Sequence, residues 1–207
     1  MKVASAPRLR LSPPLRRAFG LQCRGSELAE TDLLLVPEYR EARSLLAAGK
    51  AVQCLPLLER TREVVRATLP GSALHEAVVA HRLLQSRLRL GQFQLAAAAW
   101  EDVRPEGFIG LHRLRAIALC RLLAGDMQGA LSSAGEAVRV SESQSFEEAD
   151  LEQVFSPSYG MLGICQFFAG EKEEAETQLQ KAARWAGDDV LLGATNACNL
   201  GEQRRNQ

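Results

Sequence analysis

Aromatic residues make up only 5% of these 207 positions, and no apolar run reaches the roughly 18 residues needed to cross a bilayer. Alanine and leucine carry the hydrophobic content instead, which suits helix packed on helix rather than a sheet sandwich. Catalytic patterns are equally scarce. The glycines punctuate apolar segments singly, so no loop cradles a phosphate. The five cysteines, Cys23, Cys54, Cys120, Cys165 and Cys198, form no C-x-x-C pair, and His75, His81 and His112 stand at no metal-ligand spacing. The histidines fall at a linker and near helix starts, where solvated or capping roles are expected. No enzyme activity, cofactor or metal is expected. Unpaired cysteines of this kind suit a reducing compartment, cytosol or mitochondrial matrix. The carboxylates Glu171, Glu173, Glu174 and Glu176 read as the solvated start of one helix, where its dipole favours them.

Negative charge is missing from the start of the chain. Residues 1–26 contain no acid but carry Lys2, Arg8, Arg10, Arg16, Arg17 and Arg24. Those six removed, the body holds 19 basic residues against 25 acidic ones and is net −6. An arginine-rich, serine-containing, acid-free start with Leu9, Leu11, Leu15 and Phe19 has the composition of a mitochondrial transit peptide. Pro7, Pro13 and Pro14 would force an import helix to start after them, and a disordered basic leader is the alternative. A secretory signal is not expected, because no apolar core follows the charges.

What the chain does have is a repeated pattern. In IALCRLLAGDMQGALSSAGEAVRV, residues 117–140, two apolar stripes of helical period are broken once, at Gly125-Asp126. The glycine can end the first helix in the left-handed conformation and Asp126 can cap the second. The same break recurs at Gly49, Gly91 and Gly170. With the four glycines in register, Ala42, Leu84, Ala118 and Gly163 lie seven residues upstream, and Ser44, Ser86, Cys120 and Cys165 five upstream. Cys54, Ala96, Ala130 and Ala175 lie five downstream, while Leu58, Trp100, Ala134 and Leu179 lie nine downstream. Small residues let crossing helices approach, and larger ones fill the space beside them. That code predicts an all-α stack of about four helical hairpins, with helices near 37–48, 51–67, 74–90 and 92–103, a third hairpin over 109–140 and a fourth over 154–186. Pro56 is expected to kink its helix or to delay its start to about Leu55. The apolar run 33–36 would pad the open end of the first hairpin, and the polar stretch 141–151 reads as a loop or a helix extension. Residues 190–200 would form a capping helix, and 201–207 a disordered tail. The division is thus a leader at 1–26, a helical body at 27–200 and a tail.

At these residues the chain resembles the tetratricopeptide repeat family. Ala118, Gly125, Met127, Ala130, Ala134 and Ala137 fall on that family's frame, as do Gly163, Gly170, Ala175, Leu179 and Ala182, and Gly91, Phe93, Ala96 and Trp100. The unit around Ala42, Gly49, Cys54 and Leu58 matches least. Gly91 to Gly125 spans the family's 34 residues, but the flanking intervals are 42 and 45, closer to the kinesin-light-chain type of repeat. The resemblance covers about residues 36–187 and implies an α-solenoid whose first helices line a concave groove. Carried over, the groove would be lined by Tyr39 and Arg43, by His81, Gln85 and Arg89, by His112, Arg115 and Leu119, and by Phe168, with Val36, Leu46, Val78, Leu123, Ile164 and Phe167 beside them. For Leu119, Phe167 and Phe168, packing between repeats is the competing assignment. One end would be basic and the other apolar, fitting a partner peptide that combines acidic and apolar residues. The family's carboxylate clamp is not reproduced at Tyr39, Arg43 and Arg82.

Three readings of function follow. The first is a mitochondrial adaptor or assembly factor that holds a protein partner without chemistry. The second is a cytosolic adaptor or complex subunit. The third is a helical-repeat RNA binder, against which the acidic body argues, since backbone binding needs cationic surface.

Overall fold

A computed structural model of the protein describes residues 26–70, 72–103 and 107–186. The expected leader, the capping helix at 190–200, the tail, Cys23 and Cys198 lie outside the described residues. Nine α-helices occupy the described part: α1 (Ser26–Leu33), α2 (Pro37–Ala47), α3 (Ala51–Thr68), α4 (Ala73–Arg89), α5 (Phe93–Glu101), α6 (Gly107–Ala124), α7 (Met127–Ser143), α8 (Leu151–Ala169) and α9 (Lys172–Trp185). A single 3₁₀ turn, Glu148–Asp150, leads into α8. No strand occurs among the described residues.

Each hairpin is made by the same local device. Gly49, Gly91, Gly125 and Gly170 all take φ between 71° and 88°, a region that only glycine enters without steric cost. The residue after each glycine then donates its N–H back over the helix end. Lys50 reaches Leu45 O at 2.8 Å, and Gln92 reaches Arg87 O at 2.9 Å. Asp126 reaches Arg121 O at 2.9 Å and Glu171 reaches Gln166 O at 2.9 Å. These bonds satisfy carbonyls that a helix end otherwise leaves open. Asp126 also caps α7, accepting from Gly129 N at 2.9 Å.

Every helix from α2 onward packs on its neighbour in the chain. Alternate helices α4 and α6, and α6 and α8, also meet, and α1 lies against α4. An all-α stack assembled in chain order is consistent with an α-solenoid. The small and large columns meet inside it. Ala42, Ala118, Cys54, Ala96, Ala130 and Ala175 are fully buried, beside Leu58, Trp100 and Leu179. Cys54 Sγ of α3 lies 3.0 Å from Ser86 Oγ of α4, where one hairpin meets the next. Stretch 141–151 divides between the two readings offered for it: α7 runs on to Ser143, α8 begins at Leu151, and linker and a 3₁₀ turn lie between.

Two elements depart from expectation. Of the two effects expected of Pro56, the delayed start does not occur: α3 begins at Ala51 and carries Pro56 inside it. The carbonyl that Pro56 leaves without a helical donor belongs to Val52, which is exposed and open to water. The apolar run 33–36 does pad the first hairpin, with Leu33 in the first core cluster and Leu34 and Val36 packed on it, but a helix that was not expected precedes it. Ala29 and Leu33 of α1 join the first core cluster with Tyr39, Ala42, Val78 and Val79.

Gly163 tests the packing code. A Cβ there would stand 2.8 Å from Leu179 Cγ and 3.1 Å from Ala175 O, whereas one on Gly135, also inside a helix, would meet nothing within 4 Å. Gly163→Ala should therefore destabilise by about 1–3 kcal/mol through overpacking. Gly135→Ala should stabilise by about 0.5–1 kcal/mol through helix propensity. Urea unfolding of the two variants measures this, and equal shifts would show that α8 and α9 are not packed through Gly163.

Candidate partner-binding groove

The residues assigned to a groove divide into two sets. Arg43, Arg89 and Phe168 keep exposed surface and Gln85 is partly covered, with Phe168 40% exposed. Arg43 is in α2, Gln85 and Arg89 in α4, and Phe168 in α8, where its ring meets Phe167 edge-on at 5.5 Å. Tyr39, His81, His112, Arg115 and Leu119 are buried, none more than 5% exposed. That corrects the expectation of an open lining at Tyr39, His81, His112 and Arg115 and the solvated role expected of His81 and His112, while for Leu119 the competing assignment, packing between repeats, is the one that holds. The cause is direct contact of α6 with both α4 and α8, and the lid that α1 forms over α2 and α4.

Three of the buried residues, Tyr39, His81 and His112, are joined through the half-buried Glu30, Arg82 and Gln85 in one directional chain. Glu30 Oε1 of α1 accepts from Arg82 Nη2 at 2.5 Å and from Tyr39 Oη at 3.2 Å. Arg43 Nε stands 3.4 Å from the same oxygen. Arg82 Nη1 donates to Gln85 Oε1 at 3.1 Å, which turns the amide nitrogen toward His81 Nε2 at 2.9 Å. An acceptor at Nε2 leaves the His81 proton on Nδ1, from which it donates to His112 Nε2 at 3.3 Å. The His112 ring lies 5.5 Å from Trp100. This order of donors requires both imidazoles to be neutral. Burial, then the charge of Arg82, pushes His81 down to about 3. Burial, then His81 and Arg115, holds His112 well below the ordinary histidine range. Burial raises Tyr39, outweighing its bond from Arg82. His75 instead serves the start of α4, 2.5 Å from Ser72 Oγ and 3.3 Å from Asp32 of α1.

Arg115 is buried for a reason the sequence also contains. Pro157, within α8, has no N–H to give to the carbonyl of Gln153 one turn back. Arg115 Nη1 donates to that Gln153 O at 2.9 Å, while its guanidinium lies 5.8 Å from the centre of the Phe108 ring. Burial lowers it to about 10, so it remains a cation at neutral pH. Arg89 acts similarly on α2, donating to Leu46 O at 2.5 Å. The basic end foreseen for the groove is thus largely committed to backbone carbonyls.

Cys54, Cys120 and Cys165 are free and buried. Burial pushes the thiols of Cys120 and Cys165 up to about 12, far from the thiolate that reacts. Among the described residues no His, Cys, Asp and Glu cluster is shaped to hold a metal ion. No helix among them is long and apolar enough to cross a membrane. Missed from sequence were α1, Glu30 and the internal role of Arg82. The available signal was Ala29 and Leu33 at i, i+4 spacing, in a segment too short for periodicity to stand out.

Comparison with protein-family models, with curated proteins and with solved structures finds no match to this chain.

If Arg115 serves the carbonyl that Pro157 frees, the two positions must be coupled. Arg115→Met should cost about 1–3 kcal/mol, the penalty of an unsatisfied buried acceptor. In a Pro157→Ala background, whose N–H can reach Gln153 O, the loss should shrink by about 1 kcal/mol. Equal losses in the two backgrounds would separate the residues.

The histidine pair sets a pH dependence. Both folded-state values lie below the unfolded value near 6.5, so their contribution is complete above it and is lost as pH falls below it. Each neutral histidine should remove about 1.4 kcal/mol of stability per pH unit once well below 6.5. Urea unfolding at pH 7 and pH 5 should show that slope, and His81→Gln with His112→Gln should flatten it. An unchanged slope would mean that the pair is not neutral and buried in the folded chain.

Proposed function

We propose that the chain is a non-enzymatic scaffold of tetratricopeptide-like repeats that holds a protein partner, acting as a mitochondrial adaptor or assembly factor. One observation carries the reading: four hairpins with the same glycine turn, stacked in chain order, leave side chains of the first helices α2, α4 and α8 on the surface. Arg43, Arg89 and Phe168 are those side chains, with Gln85 partly open between them. They offer cationic surface at one end and aromatic surface at the other, and a peptide with acidic and apolar residues complements both. The protonation of the buried groups favours holding over chemistry. Two imidazoles pushed down and two thiols pushed up are poor bases and poor nucleophiles at neutral pH. The mitochondrial part rests on the acid-free, arginine-rich residues 1–26.

Two measurements address the two halves. Affinity purification of the full chain from cells should recover a partner that is lost from a chain carrying Arg43→Glu and Phe168→Glu. An unchanged set of partners, with helicity and melting intact, places docking elsewhere. A reporter fused to residues 1–30 should enter mitochondria, and diffuse cytosolic signal would favour the cytosolic adaptor.

A further inference from the structure

Helix α1 occupies the chain much as a bound ligand would. It is eight residues long, the shortest α-helix among the described residues, and an isolated helix of that length does not hold together in water. Two apolar side chains anchor it, Ala29 and Leu33, spaced one turn apart and buried among Tyr39, Ala42, Val78 and Val79. Between them Glu30 sends one carboxylate oxygen to a phenol and two guanidiniums, those of Tyr39, Arg82 and Arg43. One residue before Leu33, Asp32 meets His75. The opposite side of α1 and the turn after it are bare, with Leu28 73% and Leu35 83% exposed.

The seat is also made for a carboxylate. Without Glu30, Arg82 and Arg43 would stand side by side, with no other carboxylate among the described residues paired to either. Two adjacent guanidiniums beside a buried phenol then draw an anion, and the apolar floor admits a helix face rather than a free ion. The turn 34–36 holds α1 in place by its tether, which supplies an effective concentration on the order of millimolar. A longer helix with the same pattern would bury more surface than α1 does.

We propose that the α2–α4 face is a receptor for an acidic amphipathic helix of a partner protein, and that α1 is the internal helix that fills it until the partner displaces it. The pattern it reads is a small residue, an acid next to it, a second acid two positions on and a leucine one turn from the small residue. This deepens the scaffold reading and rests on it.

The test uses the full chain and a fluorescein-labelled peptide of residues 26–36, followed by anisotropy. The wild-type chain should bind it weakly. A chain carrying Glu30→Gln and Leu33→Ala, which loosens its own α1, should bind at least tenfold more tightly. That gain should vanish on adding Arg82→Gln, and for a peptide carrying Glu30→Lys. No gain in the loosened chain, or equal binding of the reversed-charge peptide, overturns the proposal. Should the loosened chain melt early, hydrogen exchange on the wild-type chain decides. Excess peptide should speed exchange in α1 while α4 stays protected, and unchanged α1 exchange at saturation overturns the idea. A wild-type dimer that exchanges α1 between copies would make the occupant a second chain and would equally overturn it. Failure here, with partners still lost from the Arg43→Glu and Phe168→Glu chain, removes the receptor helix and leaves the scaffold. Failure here with the partners retained by that chain removes both.

Discussion

Two antiparallel helices approach closely only where one of them lacks bulk, and that steric constraint governs this molecule. At the α8–α9 crossing the gap is so narrow that even a methyl on Gly163 would press into Leu179 and the carbonyl of Ala175. The earlier crossings use Ala42 and Ala118 with Cys54 and Ala130 in the corresponding places. The left-handed glycine at each turn makes the constraint binding, because it folds the chain back with no slack to hold the helices apart. Scarcity of aromatics follows from the same geometry: a close crossing has room for a Trp100 or a Tyr39 only beside it. The core is accordingly thin, and it is divided into clusters that each join neighbouring helices.

A thin core keeps backbone carbonyls close to every interior side chain, which explains where the arginines went. Arg89 serves Leu46 O, Arg113 serves Trp100 O and Glu101 O at the end of α5, and Arg115 serves the carbonyl opposite Pro157. A guanidinium suits such work, since it carries several donors in one plane and loses its hydration more easily than an ammonium. Burial of Arg115 without a carboxylate partner among the described residues is tolerable on this account. A carbonyl on one side and the Phe108 ring on the other supply its negative potential. Positive charge on the first helices therefore belongs in large part to stability, and only what remains at Arg43 and on the edge of Arg89 is available to a partner.

The hairpins were legible in the sequence because glycine has a conformational property that no other residue shares. Four glycines at corresponding positions predicted four turns, and Asp126 its cap, without any knowledge of tertiary contacts. The small and large columns were legible for a similar reason, since volume is intrinsic to a residue. The direction in which a polar side chain points is not. His81, His112 and Arg115 sit at positions where the resemblance led us to expect an open groove, and here a direct α6 contact with α4 and α8 covers them. Nothing in residues 107–124 alone announces that contact. Nor did Pro157 announce its effect, which depends on a guanidinium 42 residues earlier in the chain. Helix α1 escaped notice because eight residues carry two turns and only one apolar pair.

The chain of hydrogen bonds from Glu30 through Arg82, Gln85 and His81 to His112 raises the question whether occupancy of the α1 seat is sensed in the interior. Arg82 is the joint: its charge helps keep His81 neutral, and Glu30 offsets that charge. Removing the carboxylate would leave Arg82 uncompensated and make His81 still harder to protonate. A partner carboxylate arriving at the same place would restore the present balance. Linkage then requires that protonation of His81 and occupancy of the seat favour each other. Yet burial already pushes His81 down to about 3, so at neutral pH it is unprotonated whether the seat is filled or empty. The coupling exists without a physiological range in which to act. The interior pair therefore orients Gln85 and Arg82 as a fixed support. What distinguishes one occupant from another is the carboxylate it brings to Arg82, Arg43 and Tyr39 and the fit of its two apolar side chains to the floor beneath.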